Sequence, residues 1–435
     1  MPDFPISLQN APTFDGALPG EVDVAVVGGG IIGVLVAWEL GKRGQTVLLA
    51  EKGRIAGEQS SRNWGWIRQQ GRHYAELPIM VDTMAIWKAF DRRIQDRIGF
   101  RQSGITYLAR DIKRLGQFED WLEGARGLGV DSRMLSRREI ADLLPDARGW
   151  VGGLTTPSDA VAEPFAAVPV LARAAAADGV TIRENCAVRA FDIKGGAIEG
   201  IFTERGRVKC DRVVVAAGAW SALLLGRHGI SIPQLSVRAS VFNTRAMPNF
   251  FNAAAADDRL AFRRRADGGY SIATWATHDF FLGPDAFRHF WSYLPQLREE
   301  LANTRFRLAA PAGYPDAWRL RRRWDSEETT PFERCRILDP APNGADLRYL
   351  RRLFAEAFPA FEEMRIERAW AGMIDTMPDA LPVVDEAPVS GVTIATGMSG
   401  HGFGIAPGMA LAIADLVQSQ APRHDLRAFS FERFL

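Results

Sequence analysis

Apolar positions along this chain follow two different periods, and the switches between them outline its organisation. Residues 22–53, VDVAVVGGGIIGVLVAWELGKRGQTVLLAEKG, open with a near-continuous β-branched run and pass through glycines into an apolar helical stretch ending near Gly44. They close on a second run, QTVLLAE. Uninterrupted apolar runs of this length mark strands buried on both faces in a parallel sheet, so the stretch predicts a βαβ unit. Residues 178–220 read as short strands ending in another buried one, RVVVAAGAW, and residues 391–417 predict strand, glycine-rich loop and helix. Helical periodicity over 75–94 and 111–129 encloses a strand, SGITYLAR. From about 232 to 365 short alternating strands take over, with a hairpin turn at ADGG. The polar run RLRRRWDSEETTPFERCRILDPAPNG that follows is expected to be loop-rich and on the surface.

The glycines of the first unit carry chemistry. Gly28, Gly30 and Gly33 form GxGxxG at the strand-to-helix turn, with Ile31 and Ile32 opening the helix. Gly28 permits the tight turn, Gly30 lets backbone approach a pyrophosphate, and Gly33 allows close helix–strand packing under the positive end of the helix dipole. Glu51 ends the second strand, 18 residues after Gly33, where a carboxylate can accept from ribose hydroxyls. The motif predicts a Rossmann-like dinucleotide site in an α/β protein and does not separate FAD from NAD. A second glycine-rich loop, GMSGHGFGIAPG, groups backbone N–H donors suited to the anionic edge of a flavin.

Composition narrows the picture. A net charge of +1 argues against nucleic acid as a partner. The basic residues are lopsided, 47 Arg against 6 Lys with no lysine beyond Lys209, and arginine offers a planar fork for carboxylates. Cys186, Cys210 and Cys335 are unclustered, which speaks against a disulfide framework or a metal site and suits a reducing cytoplasm. The start, MPDFPISLQNAPTF, lacks a basic stretch followed by an apolar one, so no signal peptide is expected. The longest apolar stretch is too short and glycine-broken to span a bilayer.

Taken with VVVAAGAWS and MPDALPVVD, these motifs resemble those of the FAD-dependent amine and amino-acid oxidoreductases of the D-amino-acid oxidase type, the group with glycine oxidase and sarcosine oxidase, over about residues 21–430. The resemblance implies an FAD domain in pieces (20–74, 150–231 and 366–435). An α+β substrate domain on a mixed or antiparallel sheet (75–149 and 232–365) is inserted between them. It implies that Gly28, Gly30, Gly33, Glu51 and Lys52 hold the ADP half. Ser60, Ser61, Arg62, Asn63, Trp64 and Gly65 would lie along pyrophosphate and flavin. Val188, Ala217, Gly218 and Trp220 would meet adenine and ribose, and Gly400, His401, Gly402, Phe403 and Gly404 the isoalloxazine. With no well-placed Cys, FAD is expected to be non-covalent.

Oxidation of an amine on such a fold asks mainly for positioning and electrostatics. In the segment SSRNWGWIRQQGR, Arg62, Arg68 and Arg72 are candidates for a substrate carboxylate and Trp66 for an aromatic wall. Tyr270, Thr274 and Trp275 are candidate pocket residues. His401 and His278 are the histidines nearest the expected chemistry. Two departures stand out. Met373 takes the place where glycine-oxidase-like members carry a carboxylate-clamping arginine; a Met lining the pocket there suggests a less polar or longer substrate moiety and leaves residues 62–72 or the run Arg263, Arg264, Arg265 as anchors. The strand GGYSIATWATHD has no oxygen-activating lysine, so O2 and a quinone or other electron carrier are both open as acceptors. The implied reaction is oxidation of the C–N bond of a small amino acid or secondary amine such as sarcosine, iminodiacetate or a D-amino acid, through an imine. The rivals are oxidation of a 2-hydroxy acid and a flavin-binding subunit of a hetero-oligomer. A homo-oligomer is also open.

Overall fold

The computed structural model describes residues 4–275, 277–301 and 303–434. Among these residues, a six-stranded sheet has Val24–Val27 near its middle. Val47–Ala50 and then Thr181–Arg183 lie on one side; Arg212–Val215, Val392–Thr396 and Val383–Glu386 lie on the other. All pairings are parallel except the antiparallel edge strand Val383–Glu386. Every residue of Val24–Val27, Val47–Ala50 and Val392–Thr396 is buried, because helices cover one face of the sheet and a three-stranded antiparallel sheet (Val188–Lys194, Ala197–Thr203 and Gly206–Lys209) with the helix Ser221–Arg227 covers the other, and that is why these segments read as unbroken apolar runs. Helices Ile31–Lys42 and Gly402–Val417 pack side by side, and Leu77–Ala89 packs on the latter.

The second sheet has ten strands, parallel and antiparallel mixed, and its two longest strands, Leu235–Thr244 and Ile366–Thr376, pair antiparallel along their length. Gly152–Thr156 and Ile366–Thr376 belong to this sheet, so the expected pieces 150–231 and 366–435 each begin with a strand of the other layer. The expected helices at 75–94 and 111–129 are present as Leu77–Ala89, Arg92–Ile98 and Ile112–Gly124, with Ile105–Ala109 as the strand between them. The polar stretch after Arg319 departs from the surface loop expected. It is largely irregular, but Trp324, Phe332 and Leu338 are buried against Trp220 and its neighbours. Charge counts in a window hide such single apolar anchors.

Among the described residues, no helix is long and apolar enough to cross a membrane, and no three His, Cys, Asp or Glu side chains group to hold a metal. Large apolar side chains are exposed mostly between residues 287 and 318: Phe287, Phe290, Trp291, Leu301, Phe306, Leu308 and Trp318.

Candidate active site

A cavity of about 390 Å³ runs between the two sheets. Alternation supplies one wall: Val237, Ala239 and Val241 of one long strand and Gly372 and Ile374 of the other face inward.

One end is built from the glycine turn. Gly28 sits at φ 110°, a conformation that disfavours other residues, and a Cβ there would fall 2.4 Å from the Ala216 carbonyl oxygen. A Cβ on Gly33 would fall 2.0 Å from the Gly28 carbonyl oxygen, so helix and strand touch there as the motif predicts. The N-terminus of helix Ile31–Lys42 therefore meets the cavity through Gly28–Ile32, with Ser60 Oγ accepting from the Ile31 amide at 2.9 Å. Glu51 accepts from the amides of Gly29 and Gly53, both at 2.7 Å. Burial pushes its carboxyl up to about 7 against the opposing charge of Lys52. Lys52 is engaged by Glu58 Oε1 at 2.6 Å and lies over the Trp220 ring. Amides at a helix N-terminus, a glycine that admits backbone to the ligand and a carboxylate at the end of the second strand are the donor set and acceptor that an adenine dinucleotide requires. FAD fits these residues. Val188, Ala217, Gly218, Trp220, Asn63 and Trp64 line the same cavity, as do Gly400, Gly402 and Phe403 near its middle.

Ser61, Gly65 and Gly404 back the cavity wall instead of lining it. Ser61 is fully buried behind Glu58, and a Gly65 Cβ would fall 2.1 Å from the Ala162 carbonyl oxygen. Gly404 abuts Arg72 and the Trp66–Ile67 strand. None of the three cysteines is a lining residue.

At the other end the cavity meets Arg68, Trp64, Trp66, Thr274, Trp275, His278 and His401. The three tryptophans touch one another, with ring centroids 5.5, 5.7 and 5.9 Å apart, and Tyr107 packs edge-on against Trp275 at 5.0 Å. Three arginines of the opening segment have separate fates. All five N–H groups of Arg62 are spent on Asp339 and on the carbonyls of Ile6, Gly57 and Ala371, so Arg62 is a staple and not a substrate anchor. Arg72 is equally buried; it pairs with Glu76 at 3.0 Å and donates to the carbonyls of Arg68 and His401, which removes it as a carboxylate clamp. Arg68 keeps its guanidinium over the Tyr107 ring, donates to the Gln70 carbonyl, and forms no ion pair among the described residues. His278 contacts Thr304 Oγ1 at 3.0 Å, and Thr274 donates to the Thr277 carbonyl.

Two expected pocket residues lie elsewhere. Tyr270 is stacked on Phe250 in the core of the second sheet, its hydroxyl donating to the Phe251 carbonyl at 2.9 Å. Met373 is buried in the core on the other face of its strand, because Gly372 and Ile374 take the inward positions; an apolar lining argued from Met373 does not hold. The arginine run is structural too: Arg263 makes a buried two-pronged pair with Glu163, Arg264 covers Tyr270, and Arg265 pairs with Asp267.

Several site residues carry no motif of their own. Asp375 lines the cavity, fully buried, accepting from Gln234 Nε2 and the Gly397 amide, and burial raises its carboxyl. Asp159 accepts from Gln69 and Gln70 beside Arg68, and burial pushes it up to about 7. Glu76 is held at about 2: burial opposes its charge, but Arg72, His401 and Arg68 outweigh that.

The model of the DAO family, described as FAD dependent oxidoreductase, matches residues 23–416. Glycine oxidase of Geobacillus kaustophilus is 24% identical, the match covering 95% of this chain and 97% of that protein. Sarcosine oxidase subunit beta of Rhodobacter capsulatus is 22% identical over 91% of this chain and 84% of that one. Two other curated relatives are longer, and this chain spans 25% and 48% of their lengths. Among solved structures, an L-amino acid deaminase from Proteus myxofaciens in complex with anthranilate superposes with a TM-score of 0.92 at 27% identity, covering 98% of this chain and 96% of that one.

Proposed function

This chain belongs to the DAO family of FAD-dependent oxidoreductases, and on that premise we propose that it oxidises the C–N bond of an amine bearing a carboxylate. The observation that carries this reading is Arg68: a guanidinium without an ion-pair partner among the described residues, at the cavity end opposite the dinucleotide site, against a wall of three tryptophans. A carboxylate on the substrate completes the charge pairing that Arg62 and Arg72 already have within the protein.

The chain's own part in the reaction begins with placement. The Gly28–Ile32 turn and Glu51 would hold FAD, which when bound would supply the acceptor for the two electrons and the hydrogen of the substrate C–H bond. Arg68 fixes the carboxylate and so restricts how the substrate carbon lies in the cavity. Trp64, Trp66 and Trp275 exclude water and offer an apolar face to the remainder of the substrate, which favours an α-amino acid with an apolar or aromatic side chain. The imine released hydrolyses in water without help from the protein. The likeness to a deaminase of L-amino acids supports an amino-acid substrate, and glycine oxidase supports the smaller members of that class.

Anaerobic mixing tests the proposal: L- and D-amino acids, sarcosine, iminodiacetate and 2-hydroxy acids are each added while the flavin absorbance is followed, and air is then admitted. Bleaching by an amino acid or amine supports the reading. Bleaching by hydroxy acids alone overturns it in favour of alcohol oxidation. Fast recolouring in air identifies an oxidase, and slow recolouring a dehydrogenase with a separate carrier.

A second reading, a flavin-bearing subunit of a larger complex, is favoured by the exposed apolar side chains between residues 287 and 318, Trp291, Leu308 and Trp318 among them, and by the likeness to a sarcosine oxidase subunit. Full turnover by the purified chain alone would remove it.

A further inference from the structure

A buried carboxylate oxygen and a buried imidazole nitrogen face each other beside the substrate end of the cavity, each without a hydrogen-bond partner among the described residues. Glu76 ends the Tyr74–Glu76 turn with no exposed surface, and its Oε1 takes Arg72 at 3.0 Å. Its Oε2 accepts no hydrogen bond and lies 3.6 Å from His401 Nδ1, which also makes none. At that separation the attraction is Coulombic, one small rotation short of a hydrogen bond. Arg72 braces both partners, since its Nη2 donates to the His401 carbonyl at 3.0 Å, and its Nε ties the pair to Arg68 through the Arg68 carbonyl at 2.6 Å. Trp121 Nε1 donates to the Arg72 carbonyl and closes the back of the group.

His401 caps helix Gly402–Val417 and lines the cavity, its ring keeping 25% of its exposure. An anion beside Nδ1 favours the tautomer with its proton there, which leaves the Nε2 edge as the acceptor presented to the cavity. Burial holds the imidazole below its usual range; Glu76 works against this, while Arg68 and Arg72 add to it. These three are the charged groups that face it. The ring is therefore neutral and able to accept near neutral pH.

We infer that Glu76 and His401 form the proton acceptor for the substrate's ammonium group, with His401 as the catalytic base and Glu76 as the residue that positions it. The inference rests on the amine reading above. In the step, one N–H bond of the bound ammonium breaks and its electron pair stays on nitrogen. A new N–H bond forms at His401 Nε2, and the positive charge passes from substrate to imidazole, where Glu76 stabilises it. The freed lone pair is what then assists departure of the neighbouring C–H hydrogen with its electrons to the flavin. Arg68 anchors the carboxylate of the same substrate, so anchor and base share one bracing guanidinium, Arg72.

The test is the pH dependence of anaerobic flavin reduction in the holoenzyme and its Glu76→Gln and His401→Gln variants. Alongside it runs ¹⁵N NMR of the imidazoles in histidine-labelled holoenzyme, with His401 assigned by its loss in His401→Gln. Reduction by the wild type is expected to rise with pH along a limb set by His401. Glu76→Gln removes the anion, so the limb moves down by about one pH unit and the plateau falls about tenfold. The Nδ1–H tautomer gives way in the spectrum. His401→Gln lowers the rate at neutral pH by roughly 10²-fold, and the rate recovers only as pH approaches the amine's own pKa. It also serves as the test should Glu76→Gln lose its flavin. An unmoved limb in both variants, or an unchanged His401 tautomer in Glu76→Gln, overturns the pair while leaving amine oxidation intact. Failure of every amine to bleach wild-type flavin overturns the amine reading itself.

Discussion

At the Gly28–Glu51 end of the cavity, the polar groups that meet a ligand are backbone amides and one carboxylate, fixed by where a strand stops and a helix starts. At the Arg68–His278 end they are side chains, drawn from the segments around residues 68, 274 and 401. The first end needs glycines because backbone itself must approach the ligand. The second holds one cation, Arg68, without an ion pair among the described residues, while the neighbouring arginines, Arg62 and Arg72, have partners of their own. Rigidity is thus built in by close backbone packing at one end and by side-chain pairing at the other, and substitutions should act accordingly.

The largest effect belongs to the backbone end. Gly33→Ala drives a Cβ to 2.0 Å from the Gly28 carbonyl oxygen, backbone against backbone, with nothing that can swing aside. The purified variant is expected to retain under about a tenth of the wild-type flavin per chain, read from the ratio of flavin to protein absorbance. Full flavin content would mean that the strand–helix contact does not shape the site. Gly30→Ala sharpens the contrast, since its Cβ meets only Ser60 Oγ at 3.1 Å and should weaken binding without abolishing it.

The side-chain end should yield catalysis before it yields structure. Arg68→Ala removes a cation that forms no ion pair among the described residues and acts on the Glu76 and Asp159 carboxyls only as one of several neighbours, so flavin content is expected to hold and the melting temperature to change little. KM should rise by about 10–100-fold, as for the loss of a charge-assisted hydrogen bond of roughly 1.5–3 kcal/mol. Steady-state kinetics with whichever amine bleaches the flavin checks this. A fall in kcat with unchanged KM would place the carboxylate elsewhere.

The same contrast explains which parts of the molecule are legible in its sequence. The parallel sheet was legible because a strand buried on both faces must be apolar throughout, as VAVV and VLLA are. The ADP end was legible because its geometry depends on residues close in sequence, Gly28 to Glu51. Met373 was misjudged because a strand turns alternate residues to opposite faces, so a one-residue shift exchanged it for Gly372 and Ile374. Tyr270 was misjudged because the cavity reaches only the Thr274 end of its strand. Glu76 carries no pattern of its own: its meaning lies in His401, far along the chain. The three arginines of SSRNWGWIRQQGR look alike in sequence and differ only in who their neighbours are.

A pH effect of intermediate size follows from Glu51. Burial raises its carboxyl from the ordinary 4.5 to about 7 in the apoprotein, so the folded form holds the proton more tightly than the unfolded chain does. That contribution is complete below the unfolded value and is lost as pH rises through about 7. Melting of the apoprotein should therefore move to lower temperature across about pH 5 to 8, and Glu51→Gln should flatten the slope. Asp159, raised to about 7 by burial as well, leaves a residual slope of the same sign. Identical slopes in the two apoproteins would count against a strained Glu51.

The smallest effect tests the boundary of the site. Tyr270 donates one hydrogen bond to the Phe251 carbonyl and stacks on Phe250 at 4.5 Å, so Tyr270→Phe keeps the ring and loses only the hydroxyl. Its cost is about 1 kcal/mol of stability, read from chemical denaturation, with kcat and KM unchanged for every substrate. The Phe251 amide, which bonds the same hydroxyl at 3.2 Å, loses that partner as well, which sets the sign as destabilising. A changed KM would extend the substrate pocket along the strand from Thr274 toward Tyr270. It would then no longer be true that only the side chains at the Arg68 end discriminate among substrates.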